Sequence, residues 1–146
     1  MDVIKVPESM GGDLRIIPDG AYEAVISDVF MGKSQAGNAK ATVKWIIQSE
    51  YEKYDQMTKK EKEAFISCVG ETVLESFALT ENAMWNINGL FKEATDERIP
   101  QGDFDIEGFR QILVDGLVGF EATLLMEKGT STAGNDFMDI KGRQKK

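Results

Sequence analysis

The sequence contains no histidine, which removes the side chain most used as a general base and as a metal ligand. Its single cysteine, Cys68, has no partner for an internal disulfide and no histidine to make it a nucleophile. Close to Phe65, Ile66 and Val69, Cys68 reads as a buried thiol in a reducing compartment. No apolar run approaches the roughly 20 residues of a membrane span, and the opening MDVIKVPESMGG lacks the basic and apolar regions of a signal peptide. A cytoplasmic protein with no membrane contact is therefore expected. Walker and dinucleotide glycine patterns are missing too. The acids of DFDIEG (103–108) imitate the start of a calcium loop, but the twelfth position, which needs a bidentate glutamate, is Val114. The expectation is a protein that is not an enzyme and holds no metal or cofactor.

What the chain does have is an excess of acid. Its formal net charge is −8 over 146 residues, a length that suits one domain with a real core. Such a balance speaks against phosphate binding, which is driven by lysine and arginine displacing counterions. The charge is unevenly spread, however. Residues 32–44 carry Lys33, Lys40 and Lys44 with no acid, and residues 128–146 carry Lys128, Lys141, Arg143, Lys145 and Lys146 against Asp136 and Asp139. These two basic stretches hold one loop written twice, GKSQAGNAKATVK and KGTSTAGNDFMDIK. Superposing them with a one-residue gap aligns Tyr22 with Phe120, Gly37 with Gly134, Asn38 with Asn135 and Lys44 with Lys141. Glycine and asparagine tolerate left-handed dihedrals, so the repeat is open to two readings, shared turn chemistry or shared function.

Residues 1–17 read as an N-terminal arm, and PDG at 18–20 as a turn. Residues 21–31 form a first strand and 39–47 a second, with Ala41, Val43, Trp45 and Ile47 on one face and Lys40, Thr42, Lys44 and Ile46 on the other. An insertion at about 50–66 breaks the β pattern, with TKKE (58–61) as the capping box of a short helix. A third strand covers 71–79. Thr80 is expected to cap a helix whose stripe is Met84, Ile87, Leu90 and Phe91. A second short helix, IEGFRQILV, is expected to close at Gly116. Two strands follow at 119–128 and 137–141, the latter with Met138 and Ile140 opposite Phe137, Asp139 and Lys141, and 142–146 is a flexible basic tail. The order β-β-(short α)-β-α-β-β predicts a mainly β fold with α, a five-stranded OB-fold barrel over 18–141. In it the duplicated loops would stand side by side as two walls of one groove.

The stretch IPDGAYEAVISDVFMGKSQAGNAKATVKW, followed by FALTENAMW and GLVGFEATLL, resembles a family of bacteriophage-encoded single-stranded-DNA-binding OB-fold proteins, over residues 16–141. The resemblance implies a protein of phage DNA replication or recombination in the host cytoplasm, with single-stranded DNA and phage replication or recombination proteins as partners. The chain ends GRQKK, without the acidic tail by which bacterial single-strand binders recruit other proteins, so recruitment of that kind is not expected. Sequence-independent binding combines cations along the phosphates with bases stacked on exposed rings. The candidate nucleic-acid-binding residues are Lys33, Lys40, Lys44, Lys128 and Lys141, with Arg143 at the edge, and Phe137, whose parity sets it beside Lys141. By the same alternation Trp45, Tyr22 and Phe120 belong to the core, and Trp85 is expected to plug its helix against it. The competing expectation is an acidic protein-interaction module that docks on a host or phage protein, its hairpin lysines only solubilising loops.

Overall fold

A computed structural model describes residues 16–145. Most of the expected arm lies outside these residues, but Ile17 is buried in the core. The first strand, β1 (Gly20–Lys33), starts at the PDG turn, and the hydroxyl of Tyr22 donates to the Pro18 carbonyl at 2.6 Å, fixing the entry. Burial, with Cys68 beside it, pushes the Tyr22 pKa up. β2 (Ala39–Ile47) alternates as expected: Ala41, Val43, Trp45 and Ile47 are buried and the residues between them half-exposed.

The insertion holds a 3-10 turn at Tyr54–Gln56 and α1 (Lys59–Ala64), which has the expected capping box of Thr58 and Glu61. Glu50 ties its two ends together, accepting from the Ser67 hydroxyl at 2.5 Å and the amides of Tyr51 and Cys68, both at 2.9 Å. Burial alone would raise the Glu50 pKa, but these hydrogen bonds hold it below the ordinary carboxylate value.

β3 (Thr72–Ala78) returns beside β2 and leads to α2 (Met84–Thr95) and α3 (Ile106–Leu117). Two helix ends differ from expectation. Thr80 is not the cap of α2: its carbonyl closes a turn with Ala83, and the helix begins after that turn. Gly116 does not end α3, which runs through it to Leu117. A Cβ at Gly116 would stand 2.3 Å from Cε2 of Phe91, so glycine serves there as a contact point between α2 and α3. Ile87, Leu90 and Phe91 of α2 and Leu113 and Leu117 of α3 complete the core. Asp105, first of the false calcium motif's later acids, is the N-cap of α3 and accepts from the Gly108 amide at 2.7 Å.

β4 (Glu121–Thr130) and β5 (Asp136–Lys145) close the chain, the second much longer than expected. The segment read as a flexible tail pairs with β4 as far as Ala122↔Lys145. The five strands form one antiparallel sheet of order β3-β2-β1-β4-β5. This sheet is open, not the closed barrel expected: its edges β3 and β5 are bridged by side chains instead of a backbone ladder. Arg143 of β5 pairs with Glu75 of β3, Trp45 Nε1 donates to Glu75 Oε1 at 3.1 Å, and Glu93 of α2 lies 3.8 Å from Arg143 Nε.

Two bulges set which side chains face outward. In β1 the register steps between Ile26 and Asp28, leaving Ser27 unpaired. There Ile26 turns its backbone to the connection after α3, bonding Phe120 O and Gly119 N. In β5 the register steps at Lys141, between Ile140 (opposite Met126) and Gly142 (opposite Leu125). Beyond each bulge every residue lies on the face opposite to the one its count from the strand start would give.

Candidate nucleic-acid interface

The duplicated loops are the same structure twice. In the first, the Ser34 amide donates to Asn38 O at 2.8 Å, the Gly37 amide to Ser34 O at 2.9 Å and the Asn38 amide to Ser34 Oγ at 3.2 Å. The second repeats this with Ser131, Asn135 and Gly134 at 2.8, 2.9 and 3.1 Å. Gly37 and Gly134 have φ of +84° and +86°, where a side chain would be strained. The serine, glycine and asparagine of the repeat are thus spent on the turn.

The loops leave opposite ends of β1. Gly32 pairs with Lys40 at one end of β1, whereas Gly20 pairs with Met126 at the other. At about 3.3 Å per residue, roughly 40 Å of strand separates the two rows. The repeat is thus one good hairpin turn used at the two ends of β1.

The two basic stretches also differ electrostatically. In the second, Lys141 Nζ lies 3.0 Å from Asp139, Lys128 Nζ 4.0 Å from Asp136 and Lys145 Nζ 3.6 Å from Asp96. The hydrogen bond and charge of Asp139 raise the Lys141 pKa. Arg143, expected at the edge of a binding groove, has a side chain only 18% exposed and is committed to Glu75 and Glu93. The bulge at Lys141 turned it inward. Lys128 shares the parity of buried Met126 and so lies on the other face from Phe137 and Lys141. Phe137 is 43% exposed and rests across Gly129, where a Cβ would meet its ring at 2.7 Å. Glu127 and Asp139 stand opposite each other on that face.

In the first stretch, neither Lys33 nor Lys40 has an acid partner among the described residues. Lys40, Thr42 and Lys44 project from β2 away from the core, with Leu74 and Ser76 of β3 on one side. On the other side is Phe30, which pairs with Thr42 and so sits between the rows of Lys40 and Lys44. Phe30 is half-buried and stands apart from the core cluster. Counted from Tyr22, Phe30 has core parity, which is why sequence reasoning missed it; the Ser27 bulge turns it outward. Asp28, the acid that pairs with Lys44 across the strands, is met by Arg110 Nη2 at 3.2 Å and the Val29 amide at 2.8 Å. Thr42 and Ser76 hydroxyls bond across the strands at 3.1 Å. The structure thus brings Lys40 and Lys44 together around a ring; Lys33, paired with Ala39, has the parity of buried Val29 and so belongs to the other face, and Lys128, Phe137 and Lys141 lie on the hairpin at the other end of β1.

Of the other rings, Trp45 and Tyr22 are fully buried as expected, and Phe120 is half-buried with its centroid 6.3 Å from that of Trp45. Trp85 is no plug: it is 71% exposed. No helix among the described residues is long and apolar enough to cross a membrane. No family model and no curated protein matches the chain.

Proposed function

We propose that this chain binds single-stranded DNA without sequence preference, as a protein of phage replication or recombination, and that its binding face is the outer surface of β1, β2 and β3. The observation that carries this is Phe30 flanked by Lys40 and Lys44 where the acid opposite Lys44, Asp28, is already paired with Arg110. A ring between two cations offers the two terms by which unpaired strands are held, stacking and phosphate neutralisation. The strand order supports the same reading. β3-β2-β1-β4-β5 is the order of an OB-fold barrel opened at one seam, and the β2–β3 face, with the β1–β2 and β4–β5 loops, is where that fold takes oligonucleotides. The seam is bridged here by Glu75 and Arg143.

Fluorescence anisotropy of labelled oligo-dT and of a duplex of equal length tests this. Two phosphates neutralised by Lys40 and Lys44 give a log-log salt slope of about −1.4, hence a roughly sevenfold loss between 50 and 200 mM salt. Preference for the duplex, a flat salt response, or no binding at low salt would remove the reading.

Variants separate this face from the distal hairpin. Lys40→Glu and Phe30→Ala are each expected to weaken oligo-dT binding about tenfold, by charge reversal and by loss of one stacked base. Lys141→Glu should change affinity less than about threefold, because Lys141 already serves Asp139. The opposite ranking would move the site to the distal hairpin, Phe137 included.

A further inference from the structure

Trp85, Phe104 and Ile106 are 71%, 43% and 57% exposed, and Phe104 lines one cavity with Ile106 and another with Trp85. Two cavities of about 300 and 360 Å³ lie against the Phe104 ring and share Met84 and Phe109 as walls. The first is floored by Met31, Leu79 and Ile106 and edged by Asp103 and Asp105. The second runs between Trp85 and Ile99. This surface is built from the starts of α2 and α3 and the connection between them, beside the loop end of the β1–β2 hairpin. Trp85 lies off the buried stripe of Ile87, Leu90 and Phe91 in α2, which leaves its indole to solvent.

Isolated exposed apolar residues need no explanation, but an exposed tryptophan beside two apolar hollows has the composition of a binding hot spot. The surrounding charge says what kind of partner fits. Residues 79–118 carry eight acids against three bases, and the exposed Asp103 and Asp105 line the first cavity. Arg98 is the one cation lining either cavity, and its Nε is bonded to Ile99 O. Acid at that density repels phosphates, so the rings here do not extend the nucleic-acid face. It attracts lysine and arginine.

We propose that this surface docks a cationic amphipathic segment of another protein, its apolar side chains entering the two hollows beside Phe104 and its lysines or arginines meeting Asp103 and the neighbouring acids. Because the hollows abut Met31 and Ala39, a partner held there would sit next to the proposed DNA face without covering it.

The probe is a synthetic amphipathic helix of leucine and lysine, with a leucine–glutamate counterpart. Trp45 is fully buried, so acrylamide quenching of the native protein reports on Trp85. The lysine peptide is expected to bind and to shield Trp85 from acrylamide, and the glutamate peptide to do neither. Phe104→Ser and Asp103→Lys should each weaken peptide binding at least fivefold; Asp103 is exposed in a loop, so that variant keeps its fold if the first does not. Equal binding of both peptides, undiminished binding by Asp103→Lys, or unchanged quenching would overturn the proposal. So would shielding of Trp85 by oligo-dT, or by raised protein concentration alone, which would give the surface to nucleic acid or to a second copy.

Discussion

Arg143→Ala is expected to lower the unfolding free energy by about 3 kcal/mol at neutral pH, the scale of removing one partner from a buried ion pair. Arg143 and Glu75 are 18% and 16% exposed at the side chain, and Glu93 shares the seam with them. Removing the one cation leaves two carboxylates facing each other between the sheet edges, with Trp45 Nε1 as a neutral donor to one. Glu75→Gln should cost far less, about 1 kcal/mol, because the amide oxygen still accepts from Trp45 and the remaining charges, Arg143 and Glu93, balance.

Acidity distinguishes this mechanism from mere loss of packing. Burial holds the Glu75 pKa above the ordinary value, and Arg143 pulls against it. A carboxyl that binds its proton more tightly when folded contributes stability that is fully present below its unfolded pKa and lost as pH rises through the folded one. Without Arg143 the Glu75 pKa rises further. The gap in thermal midpoint between Arg143→Ala and the parent should therefore narrow as pH falls from 7 toward 5. A gap that stays constant would mean the guanidinium acts only as bulk. Glu50, whose pKa is lowered, works in the opposite direction in both proteins and cancels from the comparison.

Gly116→Ala is the second large effect. In a helix interior alanine normally gains about 1 kcal/mol over glycine, so propensity alone predicts a more stable protein. The new methyl would lie 2.3 Å from Cε2 and 2.8 Å from Cζ of Phe91, however, and the ring would have to shift within a filled core. The expected result is a net loss of about 1 to 2 kcal/mol in denaturant unfolding, from overpacking. Phe91→Leu in the same chain should recover at least half of it, since the two changes share one contact. A stabilised Gly116→Ala would show that α2 and α3 move apart at little cost.

Much of this was legible in the chain. The alternation of β2, the capping box at Thr58, the apolar stripe of α2 and the burial of Trp45, Tyr22 and Cys68 follow from local chemistry and parity, which act over a few residues. The repeated serine, glycine and asparagine specify one turn, and the two loops form it with the same hydrogen bonds.

What local pattern could not determine was anything downstream of a bulge. Ser27 and Lys141 are unpaired because β1 changes partner toward the connection after α3 and because β5 must reach both β4 and the seam, and neither demand is written in neighbouring residues. Each bulge inverts the faces that follow, so Phe30 turns out beside the lysines while Arg143 turns in to bridge the sheet edges. Tertiary packing likewise made Gly116 a contact instead of a stop and left Trp85 in solvent. Sequence by itself determined which elements form, the core parity as far as each bulge and the turns; the fold alone decided which lysines share a face, because side-chain direction in a strand depends on counting from a register that only the partner strands define.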